Sequence, residues 1–353
     1  MMEWKVEPAG PVRSELWVGW DDLNSRRFGN HPMLSSLFVG GLLKNFGTGQ
    51  ERLCWLPRHD SQSGMAAALW LEPGSSGIWV TVLPAQAQLG LALVENPGQL
   101  RSLVPRLGKL AVAIDLLCQD PDLVETANLD PRSDEIDSHY LTVSIPLKGT
   151  FEDWWAMRPE MVRKNLRRYQ RRSTARGLSP IVVARTQPAD IAVALRRYGE
   201  LEAAGWKGRA GTALSPAHTQ YRFYEELMLK AADVSNAIVY ELWLGDRLAA
   251  SRLLAMQGQR IVILKSTYDE ALADHAPGRQ LLLGVIADLF VRLPNRTVEF
   301  FTNANTDLLM WVDHSRDIVR LRLYKSGWSR CQIFTPHCSP WCCMTACRRA
   351  PMN

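Results

Sequence analysis

Apolar positions recur along this chain with two spacings, one suited to helices and one to strands. From His31-Pro32-Met33 the run through Leu34, Leu37, Phe38, Gly41, Leu42 and Phe46 has helical spacing, with Pro32 near its first turn. Strand-like runs follow at Arg52–Leu56, Met65–Leu71 and Ile78–Leu83, and Gly and Pro punctuate the gaps. A helical piece near Gln99–Leu107, a strand at Leu110–Leu117, an acidic loop at Asp120–Asp137 and a strand at Tyr140–Leu147 complete this half.

The second half begins near Phe151. A helix opening at Pro159 places Val162, Leu166 and Tyr169 on one stripe and surrounds it with Arg163, Lys164, Arg167, Arg168, Arg171 and Arg172. Gly177 ends it, Ile181–Ala184 reads as a strand, and helices follow from Pro188 to Gly205 and from Ala217 to about Ala232. The clearest pattern is a three-stranded meander, Ile238–Leu244, Leu248–Met256 and Ile261–Tyr268, turning at Gly245-Asp246 and Gly258-Gln259. A loop, Asp269–Ala276, leads into a helix opened by Pro277-Gly278. That helix turns Leu281, Leu282, Val285, Ile286, Leu289 and Phe290 inward and Gln280, Asp288 and Arg292 outward. Strands at Thr297–Thr302 and Val319–Tyr324 close the pattern. Each half thus reads as one α/β unit, residues 1–150 and 151–328, in series.

Composition narrows the class. A 353-residue chain has room for two ordinary domains, and 46% hydrophobic residues is a globular share. The formal charge of +5 argues by itself neither for nucleic acid nor for a membrane surface. No apolar run reaches the roughly 18 residues of a spanning helix, and the first residues lead into no apolar run, so a soluble cytoplasmic protein without membrane insertion is expected. Cys54 and Cys118 fall in strand-like runs and read as buried thiols. Cys331, Cys338, Cys342, Cys343 and Cys347 crowd the tail, 329–353, whose spacing fits no ordered metal-binding pair; a disordered tail and no metal are expected.

The chemistry-bearing feature is the meander, loop and helix around Gly278. A helix's first turn has free backbone N–H groups and the positive end of its dipole, and so attracts pyrophosphate. A glycine there lets a phosphate approach the backbone. Pro277, Gly278, Arg279 and Gln280 are therefore the candidate donor-binding residues, with N–H groups from Gly278 to Leu281 and a cation from Arg279. Tyr268 and Asp269 end the adjoining strand and are the candidate acid and base of an acyl transfer. Trp206 and Lys207 are candidates for an acceptor wall and an anion anchor, and Arg167 stands for the basic helix as a phosphate contact. The alternatives for these groups are an edge-strand Tyr, a turn Asp, a packed Trp and solvated cations. No Ser/His/Asp order or Cys–His pair points to a covalent intermediate.

Four segments, in order, resemble the acetyltransferases of the CelD/BcsL type, GNAT-like proteins beside the Fem-type aminoacyltransferases. They are Arg163-Lys164-Asn165-Leu166-Arg167-Arg168, then Leu201-Glu202-Ala203-Ala204-Gly205-Trp206-Lys207-Gly208 with Gly211-Thr212-Ala213, then Lys265-Ser266-Thr267-Tyr268-Asp269, and last Pro277-Gly278. The resemblance covers about Arg163 to Lys325; the N-terminal half shares only the layout. It implies tandem GNAT-like units, each a mixed, mostly antiparallel sheet flanked by helices, with the acyltransferase site in the second. It implies acetyl-CoA or another acyl-CoA as donor, and as acceptor an amine or hydroxyl of a small molecule or saccharide, in exopolysaccharide or cell-envelope biosynthesis. Glu299 is implicated in substrate binding, because the family places an acidic residue near this strand, followed by a Tyr-Lys pair. Here Asn303-Ala304-Asn305-Thr306-Asp307 follows instead. The chain has no RNA-binding signature, so nucleic acid is not expected. The rival readings are an aminoacyl-tRNA-dependent transferase, after the Fem-type relatives, and a non-catalytic binding module of a polysaccharide-secretion system.

Overall fold

The computed structural model describes residues 3–325 apart from 9, 11, 59–63, 130–133, 210, 212 and 313, with the side chains of 128, 206 and 207 also left out. The Cys-rich tail, 329–353, lies outside the described residues.

Thirteen strands form one sheet. In chain order they are β1 Lys5–Pro8, β2 Arg52–Pro57, β3 Met65–Pro73, β4 Ile78–Thr81, β5 Ala92–Leu93, β6 Ala113–Gln119, β7 Asp134–Pro146, β8 Pro180–Arg185, β9 Ala237–Leu244, β10 Arg247–Gln257, β11 Arg260–Tyr268, β12 Thr297–Glu299 and β13 His314–Tyr324. The helices are α1 Ser14–Arg27, α2 Ser36–Phe46, α3 Phe151–Ala156, α4 Glu160–Ala175, α5 Pro188–Ala204, α6 Trp206–Arg209, α7 Thr219–Asp233, α8 Pro277–Arg292 and α9 Thr306–Leu309.

The two halves repeat one plan. In the first, β2, β3 and β4 form an antiparallel meander and β6 then lies parallel to β4, Ile78 facing Ala113. In the second, β9, β10 and β11 form the meander and β12 lies parallel to β11, Arg260 facing Thr297. The expected tandem of mostly antiparallel, helix-flanked units is therefore present. The units are not separate sheets, however. Strand β7 carries β12 on one side and β13 on the other, and β13 lies between β6 and β7, inside the first half of the sheet. The expected boundary near residue 150 separates the two meanders, and β13 crosses back over it.

Packing explains the layers. Helices α1, α2, α5 and α7 share one core on one face, where Phe38 meets Phe223 edge-on at 5.7 Å. Helices α3, α4 and α8 cover the other face of the second half through Trp154, Val162, Leu166, Leu281, Val285 and Leu289. Gly284 lets α8 come close to β8: a Cβ there would stand 2.6 Å from Val182 Cγ2.

Several local expectations are corrected. The run from His31 is two elements, a 3-10 turn at Pro32–Leu34 and α2, because Ser35 caps the second by accepting from the Phe38 N–H. The helical piece near Gln99–Leu107 is a pair of 3-10 turns, each begun around a proline, Pro97 and Pro105. Strand β7 begins at Asp134, inside the predicted acidic loop, because its polar first half lies against β13. Cys54 and Cys118 are buried free thiols, and burial pushes both up to about 12.

Candidate active site

The site is a split in the sheet. Strands β11 and β12 pair over three positions only, ending at Val262 and Glu299. The chain after β12 then follows β7: the N–H groups of Phe300 and Ala304 donate to the carbonyls of Val143 and Leu141. Residues 263–268 of β11 therefore have no strand on that side among the described residues. Their backbone groups are open to an extended ligand, much as an edge strand is. A bulge at Leu264 sharpens the split, since Leu253 of β10 faces Lys265 while Leu254 faces Ile263. In the first half the matching gap between β4 and β6 is filled by the chain itself. The Leu91 N–H reaches the Val82 carbonyl, the Gly90 N–H reaches the Cys118 carbonyl, and β5 adds to β3.

At the top of the split, Tyr268 is half exposed, and a Cβ on Gly278 would meet its ring only at 3.9 Å. The sequence-predicted donor residues gather here, in altered roles. Pro277 starts α8 after Ala276, which adopts a left-handed backbone at φ 48°. The Arg279 and Gln280 N–H groups both donate to the Ala276 carbonyl at 3.1 Å, so neither faces outward. Gly278 N–H has no partner among the described residues, and the Gly278 carbonyl accepts from Arg252 at 3.3 Å. Burial pulls the Arg252 guanidinium down to about 10, still charged at neutral pH. Arg279 is held by Asp307 of α9 at 2.7 Å.

Gln280 was expected outside and lies inside. Its Nε2 donates to the His275 carbonyl at 2.7 Å and to Ser173 Oγ at 3.3 Å. It belongs to a knot that ties the donor loop to the basic helix α4. Arg176 donates to His275 Nε2 at 3.2 Å, which fixes the proton on Nδ1. That Nδ1–H donates to Ser173 Oγ at 2.9 Å, and Ser173 in turn donates to the Tyr169 carbonyl. Burial first, then Arg176 and Arg172, lower the His275 pKa. Arg172 also donates to the Asp274 carbonyl at 2.8 Å. The basic helix thus stands beside the donor loop, with Arg167 exposed on it.

Asp269 has both oxygens in use: one caps the 3-10 turn Glu270–His275 by accepting from the Ala271 N–H, the other pairs with Arg247 at 2.5 Å. Glu299 is not brought to this site. It sits opposite Val262, six residues of β11 or about 20 Å from Tyr268. There it pairs with Arg316, which also clamps Asp120, and burial raises its pKa. The side chains of Trp206 and Lys207 lie outside the described residues.

On the α5 side of the split stands a cluster that sequence reasoning did not assign. Buried Glu202 accepts from Tyr198 Oη at 3.2 Å and from the Leu214 N–H at 2.7 Å, and lies 3.6 Å from Lys265 Nζ. Lys265 in turn stands 5.3 Å above the Tyr224 ring. Both residues fall in segments that carried the family resemblance, which was the available signal. Their pairing needed the fold. Helix α6 is tied to the donor loop by Arg209 and Glu270 at 2.8 Å.

The family model for acetyltransferase (GNAT) domains matches residues 161–306, which span α4, the meander, the split and α8. Over these residues the chain is similar to acetyltransferase domains of the GNAT type. The chain is similar in fold to the crystal structure of FemX, at 10% identity and a TM-score of 0.57, covering 90% of this chain and 96% of that one. It is similar to a conserved protein from Bacteroides thetaiotaomicron VPI-5482, at 11% identity and a TM-score of 0.51, over 92% and 100% of the two chains. It is also similar to L-PGS from Bacillus licheniformis, at 14% identity and a TM-score of 0.50, over 92% and 95%. At such identities these likenesses are of fold. No curated protein matches the sequence.

Proposed function

We propose that this GNAT domain transfers an acyl group, acetyl being the simplest, from acyl-CoA to an amine or hydroxyl of a small molecule or saccharide. The observation that carries the reading is the edge of β11 from Ile263 to Tyr268, unpaired among the described residues, running up to a Gly278 N–H that has no partner among them. An extended thioester arm fits along the edge, and its phosphates meet that N–H and the cations of α4 at the helix end. The acceptor's nitrogen or oxygen attacks the thioester carbonyl and loses its proton to water, the C–S bond breaks, and the departing thiolate takes a proton from a donor that water then reprotonates. Tyr268, half exposed beside Gly278, is the candidate donor of that proton. Asp269 is assigned a positioning part, because its carboxylate caps the donor loop. Trp206 and Lys207, on α6 beside the split, remain the candidates for the acceptor wall. A saccharide acceptor in exopolysaccharide synthesis follows from the sequence resemblance.

The test is Gly278→Glu. A Cβ there meets nothing closer than 3.9 Å, and a carboxylate in a helix's first turn favours the helix, so the variant should melt like the parent. It should bind CoA more than tenfold more weakly by calorimetry, since a direct contact to a charged group is worth about 1.5–3 kcal/mol. Equal CoA binding by a normally melting variant would remove α8 as the donor site. A parent that binds aminoacyl-tRNA and not CoA would replace the donor assignment, and failure of both would favour the non-catalytic reading.

A further inference from the structure

Helix α4 turns one face into the core through Val162, Leu166 and Ser173. The face opposite carries Met161, Lys164, Arg168 and Arg171, spaced three, four and three residues apart, in a stripe about 15 Å long. Arg167 flanks it. Lys164 pairs with Glu160 at 2.9 Å, whereas Arg167, Arg168 and Arg171 make no ion pair among the described residues. The contacts Arg168 and Arg171 do make are weak and local: Arg168 over the Tyr169 ring at 5.3 Å, Arg171 to the Arg167 carbonyl at 3.4 Å.

Two methionines extend this cationic face. Met157, just past α3, is 67% exposed, and Met161 is 57% exposed. Beside them Trp155 is half-buried on Phe151, ring to ring at 6.4 Å. The acidic side chain between the two methionines, Glu160, is held by Lys164 at 2.9 Å, and Glu152 and Asp153 belong to the first turn of α3, at the far end of that helix from Met157. A helix with cations along its length and flexible apolar side chains exposed at one end matches the chemistry of a bilayer interface. The cations meet headgroup phosphates while the apolar chains enter the acyl boundary. A nucleic-acid strand fits less well. Its bases call for exposed aromatic planes, and the one aromatic ring on α4, Tyr169, is half-buried under Arg168.

We propose that the face from Met157 to Arg171 docks this protein on anionic phospholipid. The docking is peripheral: no described helix is long and apolar enough to cross a membrane. The inference stands independently of the acyl-transfer reading. Its consequence bears on that reading, because Arg172, one turn beyond Arg168, bonds the donor loop at the Asp274 carbonyl. Docking therefore holds that loop, and the mouth of the split beside Gly278, at headgroup level.

The experiment is co-sedimentation of the full chain with vesicles of phosphatidylcholine alone, or with a quarter of phosphatidylglycerol. The chain should pellet with the anionic vesicles at low salt and remain in solution with the neutral ones. Binding should fall as salt shortens the screening length. Each cation near such a surface is worth about fivefold in partitioning, so Arg168→Ala with Arg171→Ala should weaken binding about 25-fold. Both side chains are exposed, so the double variant should melt like the parent, which a thermal scan checks. Met157→Ser with Met161→Ser should weaken the binding that remains at higher salt. Three results would each overturn the proposal. They are a parent that ignores anionic vesicles, an arginine variant that pellets like the parent, and a parent that binds bulk tRNA through these arginines but not vesicles.

Discussion

Ser173→Ala tests whether the donor loop is held by the knot on α4. Ser173 is fully buried, and its hydroxyl is the acceptor for the His275 Nδ1–H at 2.9 Å and for one Gln280 N–H at 3.3 Å. Gln280 keeps its 2.7 Å bond to the His275 carbonyl, so the larger loss falls on the imidazole. A buried donor left without an acceptor costs about 1–3 kcal/mol. For a chain of this size that amounts to a fall of roughly 1–4 °C in Tm. Calorimetric binding of CoA should weaken on the same sample, because the residues that loosen, Asp274 to Gln280, include the donor-binding turn. The knot also has a pH signature. Burial and two arginines hold the His275 pKa below its ordinary value, so the unfolded chain takes up the proton first. The loop's stability is then complete above about pH 6.5 and is lost as pH falls toward the folded value. His31 shifts in the same direction, so the loop must be read locally, by amide exchange at residues 271–276, rather than from global melting. A Ser173→Ala protein with unchanged Tm and unchanged exchange in this loop would refute the knot.

Two further outcomes follow from the site and the packing. Tyr268→Phe should lower kcat by about 10²–10⁴-fold and leave CoA affinity unchanged, read by thiol release from acetyl-CoA across a panel of amino sugars; a near-parental rate would discard Tyr268 as the proton donor. Gly284→Ala should destabilise by up to about 2 kcal/mol in urea unfolding, because overpacking against Val182 outweighs the gain in helix propensity, and adding Val182→Ala should recover much of the loss.

The second meander, α8 and the basic helix were legible because each has a strong period and short Gly turns. Gln280 was misjudged because a helical wheel assigns it outward, while Ser173 and His275 supply it with buried partners that lie 107 and 5 residues away. Arg279 and Gln280 lose their expected N–H role for a local reason: the left-handed Ala276 turns its carbonyl onto both. No one-dimensional pattern announces that conformation at an alanine. Glu299 was placed near the chemistry by a family pattern, yet strand register sets it at the closed end of the split, against Arg316. The Glu202–Lys265 contact joins segments 63 residues apart, and neither residue breaks its element's pattern enough to be singled out.

Strand β13 has a consequence for how this chain comes to be folded. It is the last element of the described chain, yet it sits mid-sheet, paired with both β6 and β7. During synthesis the first half can collapse early, but with the facing edges of β6 and β7 unsatisfied until some 170 further residues have emerged. At roughly 5–20 residues per second, that is on the order of 10–30 s of exposure at the ribosome. Two open strand edges held apart that long are templates for mispairing. A chain cut before His314 would keep those edges permanently, so shortened versions should aggregate rather than yield an isolated first half. Closure of the sheet is thus a late, long-range event that waits on the last of the described strands.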